Sequence, residues 1–363
     1  MTEFPILQFG ASRFLQAHVD LFVSEGLARG EAMGRIAVAG TTGSPESRRR
    51  IAAFATGQPY RVQVKGLAGG AIVDESVEVT SVGAGVDAAT QWDELERLFV
   101  AARCAVSNTA DRGYETDPAD RPDAGPPRSF PAKLAKLLIA RHRASAEPIT
   151  LFPCELTPAN GRVLRGVVLG VLDRWEVAAR ARRWVEEECV WVNSLVDRIV
   201  SEPLEPLGAV AEPYALWAIE DQPGLELPCR HAAIVVATDL KPYERLKLFI
   251  LNLGHTYLAE IWARRGGPAA LTVREAMAEK PFLAELDALY QEEVLPVFAG
   301  IGMEKEADAY LKTVIERFRN PFLDHRLSEI FTNHEAKKQR RFGGLIELAR
   351  ANEVRLKHAR LRA

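Results

Sequence analysis

Ile6-Leu7-Gln8-Phe9-Gly10-Ala11-Ser12-Arg13-Phe14-Leu15-Gln16-Ala17-His18 is the stretch on which the fold class turns. The apolar run Ile6–Phe9 reads as a buried strand, Gly10 as a tight turn, and the spacing from about 14 to 27 as an amphipathic helix. A strand passing through glycine into a helix suits pyrophosphate binding, because glycine allows close backbone approach and helix N-terminal N–H groups attract anions. Ser12 stands where the G-x-G-x-x-G pattern has its second glycine, so the motif alone equally fits an ordinary strand–turn–helix connection.

Working outward, strand and helix signals alternate. Residues 36–39 read as a second strand, followed by a helix through Arg49 to Phe54. Extended runs follow at 60–65 and 77–81, then a helix over Trp92–Ala101. Cys104–Ser107 is a strand ending in the polar turn 108–111, and 111–128, rich in Pro, Gly and Asp, is a surface loop. Ser129 caps a helix with Pro131 in its first turn, and 149–153 is a further strand. This alternation predicts an α/β fold with a doubly wound parallel sheet. From Lys241 onward the period is 3.6, as in 271–278, 283–295 and 307–317. We therefore predict a Rossmann-like dinucleotide-binding domain over 1–240 and an all-helical substrate and catalytic domain over 241–363. The second strand lacks the acid that grips an adenine ribose. Ser44 and Arg48-Arg49-Arg50 follow instead, as a 2′-phosphate pocket or a solvated basic turn, so NAD and NADP both stay open.

Composition narrows the class. The 363 residues carry 46 Lys+Arg against 49 Asp+Glu, and 46 − 49 leaves a net charge of −3. With 47% hydrophobic residues the chain is globular, and a pI near 6.2 offers no basic field for nucleic acid. Cys104, Cys154, Cys189 and Cys229 are scattered, without disulfide or zinc spacing. The N-terminal residues lack the pattern of a signal peptide. The most apolar run, 246–263, is interrupted by Lys247, Asn252, His255 and Glu260, which argues against a membrane span. The expectation is a cytoplasmic protein, monomeric or a small homo-oligomer, that binds neither nucleic acid nor membrane and acts on a small molecule.

The strongest chemical signal is Glu244-Arg-Leu-Lys247-Leu-Phe-Ile-Leu-Asn252-Leu-Gly-His255. On an α-helix, with Lys247 at zero, Glu244 falls near ~60°, His255 near ~80° and Asn252 near ~140°. Leu246, Phe249, Ile250, Leu253 and Tyr257 occupy the other side. Burying an amine, an amide and an imidazole is costly unless they are partnered. The set suits alcohol oxidation: a desolvated lysine as general base, with a carboxamide and an imidazole bonding the oxygen whose charge changes. The same residues also fit a helix whose polar groups merely satisfy neighbouring backbone. Tyr243 and Lys247 match the Tyr-x3-Lys pair of short-chain dehydrogenases as well, although that pair belongs on a central Rossmann helix.

Lys247, Asn252 and His255 reproduce the Lys-x4-Asn-x2-His signature of the polyol-specific long-chain dehydrogenases, and the chain resembles that mannitol dehydrogenase family through nearly its whole length. The opening segment 9–18, Ser107-Asn-Thr109, Pro153-Cys-Glu-Leu156 with Asn160-Gly161, 195–200, Ala211-Glu-Pro213 and Arg317-Phe-Arg-Asn-Pro321 with His325 carry the likeness. Ser-Asn-Thr, Pro-Cys-Glu-Leu and Leu-Asn-x-x-His-Thr are most similar to the tagaturonate reductase (altronate oxidoreductase) branch. The resemblance implies an NAD(P)-dependent oxidoreductase working without a metal on an open-chain polyol or sugar acid, between two domains. It implies Lys247 as base, Asn252 on the alkoxide-like oxygen, His255 positioning substrate and Glu244 as proton relay. Asp197, Arg317, Asn320 and His325 would line the substrate, with Lys337 or Arg341 approaching substrate or coenzyme. Gly10, Ala11, Ser12, Arg13, Phe14, Ser107, Asn108 and Thr109 would hold NAD, with NADP also open. Many mannitol-type members have Asp-Asn where this chain has Glu155-Leu156, so a second oxyanion amide is either missing or replaced, with Asn108 the candidate. A sugar-phosphate dehydrogenase and a non-catalytic nucleotide sensor are the alternative readings.

Overall fold

Residues 3–109, 112–355 and 359–362 are described by the computed structural model, so Ala110 and Asp111 of the expected polar turn lie outside the described residues, as do Met1 and Thr2. The strands are β1 (Ile6–Phe9), β2 (Ile36–Gly40), β3 (Tyr60–Ala68), β4 (Ala71–Val79), β5 (Val82–Asp87), β6 (Cys104–Ser107), β7 (Thr150–Pro153), β8 (Val190–Trp191), β9 (Ser194–Asp197), β10 (Val200–Pro203), β11 (Gly208–Ala211), β12 (Leu216–Glu220) and β13 (Ile234–Ala237). A six-stranded sheet runs β5-β2-β1-β6-β7-β8, parallel throughout. That is the doubly wound order, with its switch point where β1 lies between β2 and β6. β1, β2 and β6 are buried along their whole length, as expected of parallel strands covered on both faces.

The helices of this region are α1 (Arg13–Gln16), α2 (Val19–Arg29), α3 (Pro45–Phe54), α4 (Trp92–Ala101), α5 (Phe130–Ala144) and α6 (Asn160–Arg174). The single helix expected from 14 to 27 is broken between α1 and α2. His18 takes a non-helical conformation there, and Arg198 donates to the Ala17 carbonyl. Ser129 precedes α5 but does not cap it: its hydroxyl donates to Asp120 at 2.6 Å. Two small sheets are also present, β10-β11-β3-β4 and β13-β12-β9; the extended runs expected at 60–65 and 77–81 fall on β3 and the end of β4, and the other strands escaped the sequence reading. The missed strands, β9 to β13, are four or five residues long and several are half polar, too short for a period-2 signal to stand out.

Two compact units result. The first comprises Met1–Gln63, Glu75–Ala211 and Ala215–Leu240; the second comprises Val64–Asp74, Glu212–Tyr214 and Lys241–Ala363. The second is helical around a core containing Ile250, Leu253, Leu286, Tyr290, Phe298 and Phe318. It also takes in the Lys65 and Glu212 segments from earlier in the chain. Among the described residues no helix is long and apolar enough to cross a membrane.

One buried acid sits close to the opening turn. Asp20 is fully buried, accepts from Tyr60 Oη at 2.7 Å, and is pushed up to about 7 by burial. Asp20 Oδ1 and Gln8 Oε1 are both buried acceptors without a donor, and Gln8 Nε2 donates to the Gly10 carbonyl. A proton on Asp20 removes the cost of holding a carboxylate out of water. The folded state therefore binds this proton more tightly than the unfolded chain does. Stability from this group is full below pH ~4 and is lost as pH rises to about 7, at up to about 1.4 kcal/mol per pH unit. Asp20→Asn, which can still accept from Tyr60 but does not titrate, should flatten the fall in urea midpoint between pH 5 and pH 8.

Candidate active site

The carboxyl ends of β1 and β6 meet at the switch point, with Phe9 in register with Ser107. Gly10 has φ +112°, and a Cβ there would lie 2.8 Å from the Asn108 carbonyl oxygen, so only glycine fits. Ser12 Oγ accepts from Leu15 N at 3.2 Å and donates to Asn108 Oδ1 at 3.1 Å. Among the described residues the backbone N–H groups of Ala11, Ser12, Arg13 and Phe14 have no protein acceptor. Together they form a partly exposed cradle of donors at the strand ends, which fits a dinucleotide pyrophosphate. The missing second glycine is thus replaced by a serine that ties the turn to β6.

Glu155, given no role in the sequence reading, fastens the neighbouring loops. Its carboxylate accepts from Ser107 Oγ at 3.2 Å, Thr109 N at 2.9 Å, Thr109 Oγ1 at 3.0 Å and Tyr114 Oη at 2.9 Å. Ser-Asn-Thr and Pro-Cys-Glu-Leu are therefore two halves of one clasp. The Asn108 amide is committed here too, donating to the Cys154 carbonyl at 2.8 Å. Asn160 Nδ2 donates to the carbonyls of Pro153, Glu155 and Ser194, and a Cβ on Gly161 would fall 2.3 Å from the Val192 oxygen, which accounts for Asn-Gly. Leu156 is exposed, and Asp197 is buried at the end of β9. His18 is buried and pushed down to about 3 by desolvation. Its Nε2 donates to the Leu216 carbonyl at 3.1 Å, so it packs as a neutral ring against Phe14.

In the second unit the signature lies on a helix whose geometry differs from the α-helical expectation. Lys241–Leu246 and Leu253–Arg264 are α-helical, but Lys247–Asn252 between them is a wide, π-type turn. A wide turn takes about 4.4 residues, so five residues bring Asn252 to within about 50° of Lys247 rather than ~140°. The lysine and the carboxamide thus share a side, and both are half-buried. Tyr290, fully buried, donates to the Ile250 carbonyl at 2.8 Å, and Arg341 Nη1 donates to the Asn252 carbonyl at 3.0 Å and to Thr256 Oγ1 at 2.5 Å. Gly254 makes room: a Cβ there would be 1.9 Å from Tyr290 Oη.

His255 is buried against Phe318 and His325, with ring centroids at 4.4 Å and 5.1 Å. Burial, reinforced by His325, Arg317, Arg341 and Lys337, holds its imidazole well below the usual range, so it is neutral. His325 is lowered likewise, first by burial. Arg317 is committed to a carboxylate: Nε and Nη2 meet Glu212 at 2.9 Å and 2.7 Å, and Tyr214 stacks 4.4 Å from the guanidinium. Asn320 bonds backbone at both ends, giving Nδ2 to the Lys65 carbonyl and taking Phe322 N. Glu244 precedes Lys247 by one turn, and Lys337 donates to the Ile330 carbonyl at 2.7 Å. Of the expected second-unit residues, Lys247, Asn252, His255 and His325 gather around one helix, while Arg317 and Asn320 anchor earlier segments of the chain.

A cradle of donors on a doubly wound sheet and a lysine–asparagine–histidine helix together fit an oxidoreductase. Residues 5–227 match the family described as Mannitol dehydrogenase Rossmann domain, and 239–361 match the Mannitol dehydrogenase C-terminal domain. The altronate oxidoreductase of Bacillus subtilis (strain 168) is 31% identical, covering 96% of this chain and 76% of the relative. That of Phocaeicola vulgatus is 28% identical over 93% and 74%. Among solved structures, a substrate-free D-sorbitol dehydrogenase aligns with TM-score 0.82 at 21% identity, over 96% of this chain and 76% of that one. Pseudomonas fluorescens mannitol 2-dehydrogenase, solved with NAD and D-mannitol, aligns at 0.76 and 19% identity, over 99% and 77%. The chain belongs to the mannitol dehydrogenase family. By that membership it is an enzyme of the dehydrogenase class.

Gly10→Ala should weaken NADH binding about tenfold or more, read by quenching of protein fluorescence, while the melting temperature of the second unit's core stays unchanged. Tyr290→Phe leaves the buried Ile250 carbonyl without its donor and should cost about 1–3 kcal/mol in chemical denaturation.

Proposed function

We propose that the chain interconverts a secondary alcohol and a ketone on an open-chain sugar acid of the hexuronate or aldonate class, with Lys247 rather than a metal ion taking the hydroxyl proton. The observation that supports this reading is the wide turn, whose pitch puts positions 247 and 252 within about 50° of one another, with His255 one turn on. The altronate oxidoreductase relatives support the sugar-acid class.

NAD, held by the cradle of Gly10 to Phe14 with Asn108 and Thr109, would supply the hydride acceptor. The residues of this chain do the rest. Lys247 accepts the proton from the substrate hydroxyl as the carbon is oxidised, and returns it in reduction. Asn252 donates to the oxygen as negative charge builds on it. The neutral His255 offers a hydrogen bond without adding charge and orients the hydroxyl. Glu244, one turn before Lys247, passes the proton to water.

A panel of hexuronates, alditols and sugar phosphates, each run with NAD(H) and NADP(H) and followed at the reduced-nicotinamide band, tests substrate class and coenzyme together. Turnover should be greatest with a hexuronate or aldonate and NAD(H). Lys247→Ala should lower kcat by about 10²–10⁴-fold with NADH binding intact. In the wild type, alcohol oxidation should rise and ketone reduction fall with pH, and both trends should flatten in the variant. Full turnover by Lys247→Ala would exclude the lysine base, and absence of both turnover and coenzyme binding would favour a non-enzymatic role.

A further inference from the structure

Lys337 and Arg341 stand one turn apart on the segment 334–343, and among the described residues neither has an Asp or Glu within ion-pair distance. Their surroundings show how unusual that is. Arg317 is neutralised by Glu212 at 2.7 Å, and Lys338 and His334 both meet Glu260. Arg341 is half-buried, and burial together with Arg340 lowers its guanidinium to about 10; Lys337 is lowered by burial and then by Arg341. Two partly desolvated cations without a counter-charge are costly unless an anion arrives.

The guanidinium is also aimed. Nη1 is fixed by the Asn252 carbonyl and Thr256 Oγ1, the same contacts that brace the wide turn. Nε and Nη2 donate to no described residue and are not sealed from solvent. These two N–H groups form one edge of the plane, a fork whose spacing matches the two oxygens of a carboxylate. Resting on the reading that the Lys247 helix handles the reacting hydroxyl, we propose that Arg341, assisted by Lys337, binds the carboxylate of the substrate, and so selects sugar acids over neutral polyols. Arg317, the obvious cation in the sequence, is occupied by Glu212.

The test compares a keto-hexuronate with the neutral ketohexose of matching stereochemistry, using NADH and the full chain. Arg341→Gln removes the brace of the wide turn as well, so both substrates should lose rate; kcat/KM for the acid should fall about 10- to 100-fold further than for the neutral ketose, the extra loss lying in KM. Lys337→Gln should give a smaller loss of the same kind, and Arg341→Lys an intermediate one. Added salt should raise KM for the acid alone. Titration calorimetry with an aldonate, with and without NAD, reads the anchor independently of turnover: wild type should bind, and Arg341→Gln should bind at least about tenfold more weakly. Equal losses on acid and neutral substrates would overturn the proposal and leave Arg341 as a brace for the wide turn. So would unchanged kinetics on the acid, no aldonate binding by the wild type, or a loss confined to phosphate esters. The reading of the reaction itself fails separately, when wild type binds the aldonate but oxidises or reduces nothing.

Discussion

The wide turn at Lys247–Asn252 is the constraint around which the second unit is arranged. An i→i+5 turn costs hydrogen-bond quality and leaves carbonyls in need of donors. Tyr290 and Arg341 meet that need from two other helices, each reaching one carbonyl of the turn. Gly254 is dictated by the same device, since any side chain there would occupy the position of the tyrosine hydroxyl. A tyrosine, an arginine and a glycine far apart in sequence thus serve one purpose: they keep a lysine and an asparagine on the same side of a helix that α-helical geometry would separate.

The first unit solves a similar problem with acceptors. Gly10 lets the backbone turn closely past Asn108, and Ser12 closes the turn by bonding that same residue. Glu155 then draws Ser107, Thr109 and Tyr114 onto one carboxylate, and Asn160 joins three carbonyls from β7, the loop after it and β9. Several residues that look chemical in sequence are framework residues here. Their polar groups are spent on backbone, which is the usual condition for burying them.

Electrostatics in this protein is local. A net charge of −3 over 363 residues provides little long-range steering. What matters is which cations keep a counter-ion. Arg317 lies in a buried bidentate pair, and among the described residues the half-buried Arg341 and Lys337 have no acid beside them. The same positive surroundings, after burial itself, keep His255 neutral.

Much of the architecture was legible in the chain. The apolar runs at β1, β2, β6 and β7 and the 3.6 period after Lys241 came through because burial on both faces, or on one helical stripe, imposes simple patterns. The Lys-Asn-His set was legible as a cluster of polar groups on an apolar helix. The short strands β8–β13, the break at His18 and the roles of Glu155, Tyr290 and Arg341 were not, because each depends on a partner distant in sequence. The angle between Lys247 and Asn252 belongs with them. Sequence periodicity assumes one helical pitch, and only the tertiary donors to the Ile250 and Asn252 carbonyls decide that the pitch widens there. Residue types alone determined a parallel sheet opening on a strand–glycine–helix turn and a cluster of polar groups on an otherwise apolar helix. Which of its cations are neutralised, and which carbonyls are held open, was decided by packing, since a charge or a carbonyl is defined by what lies beside it in space.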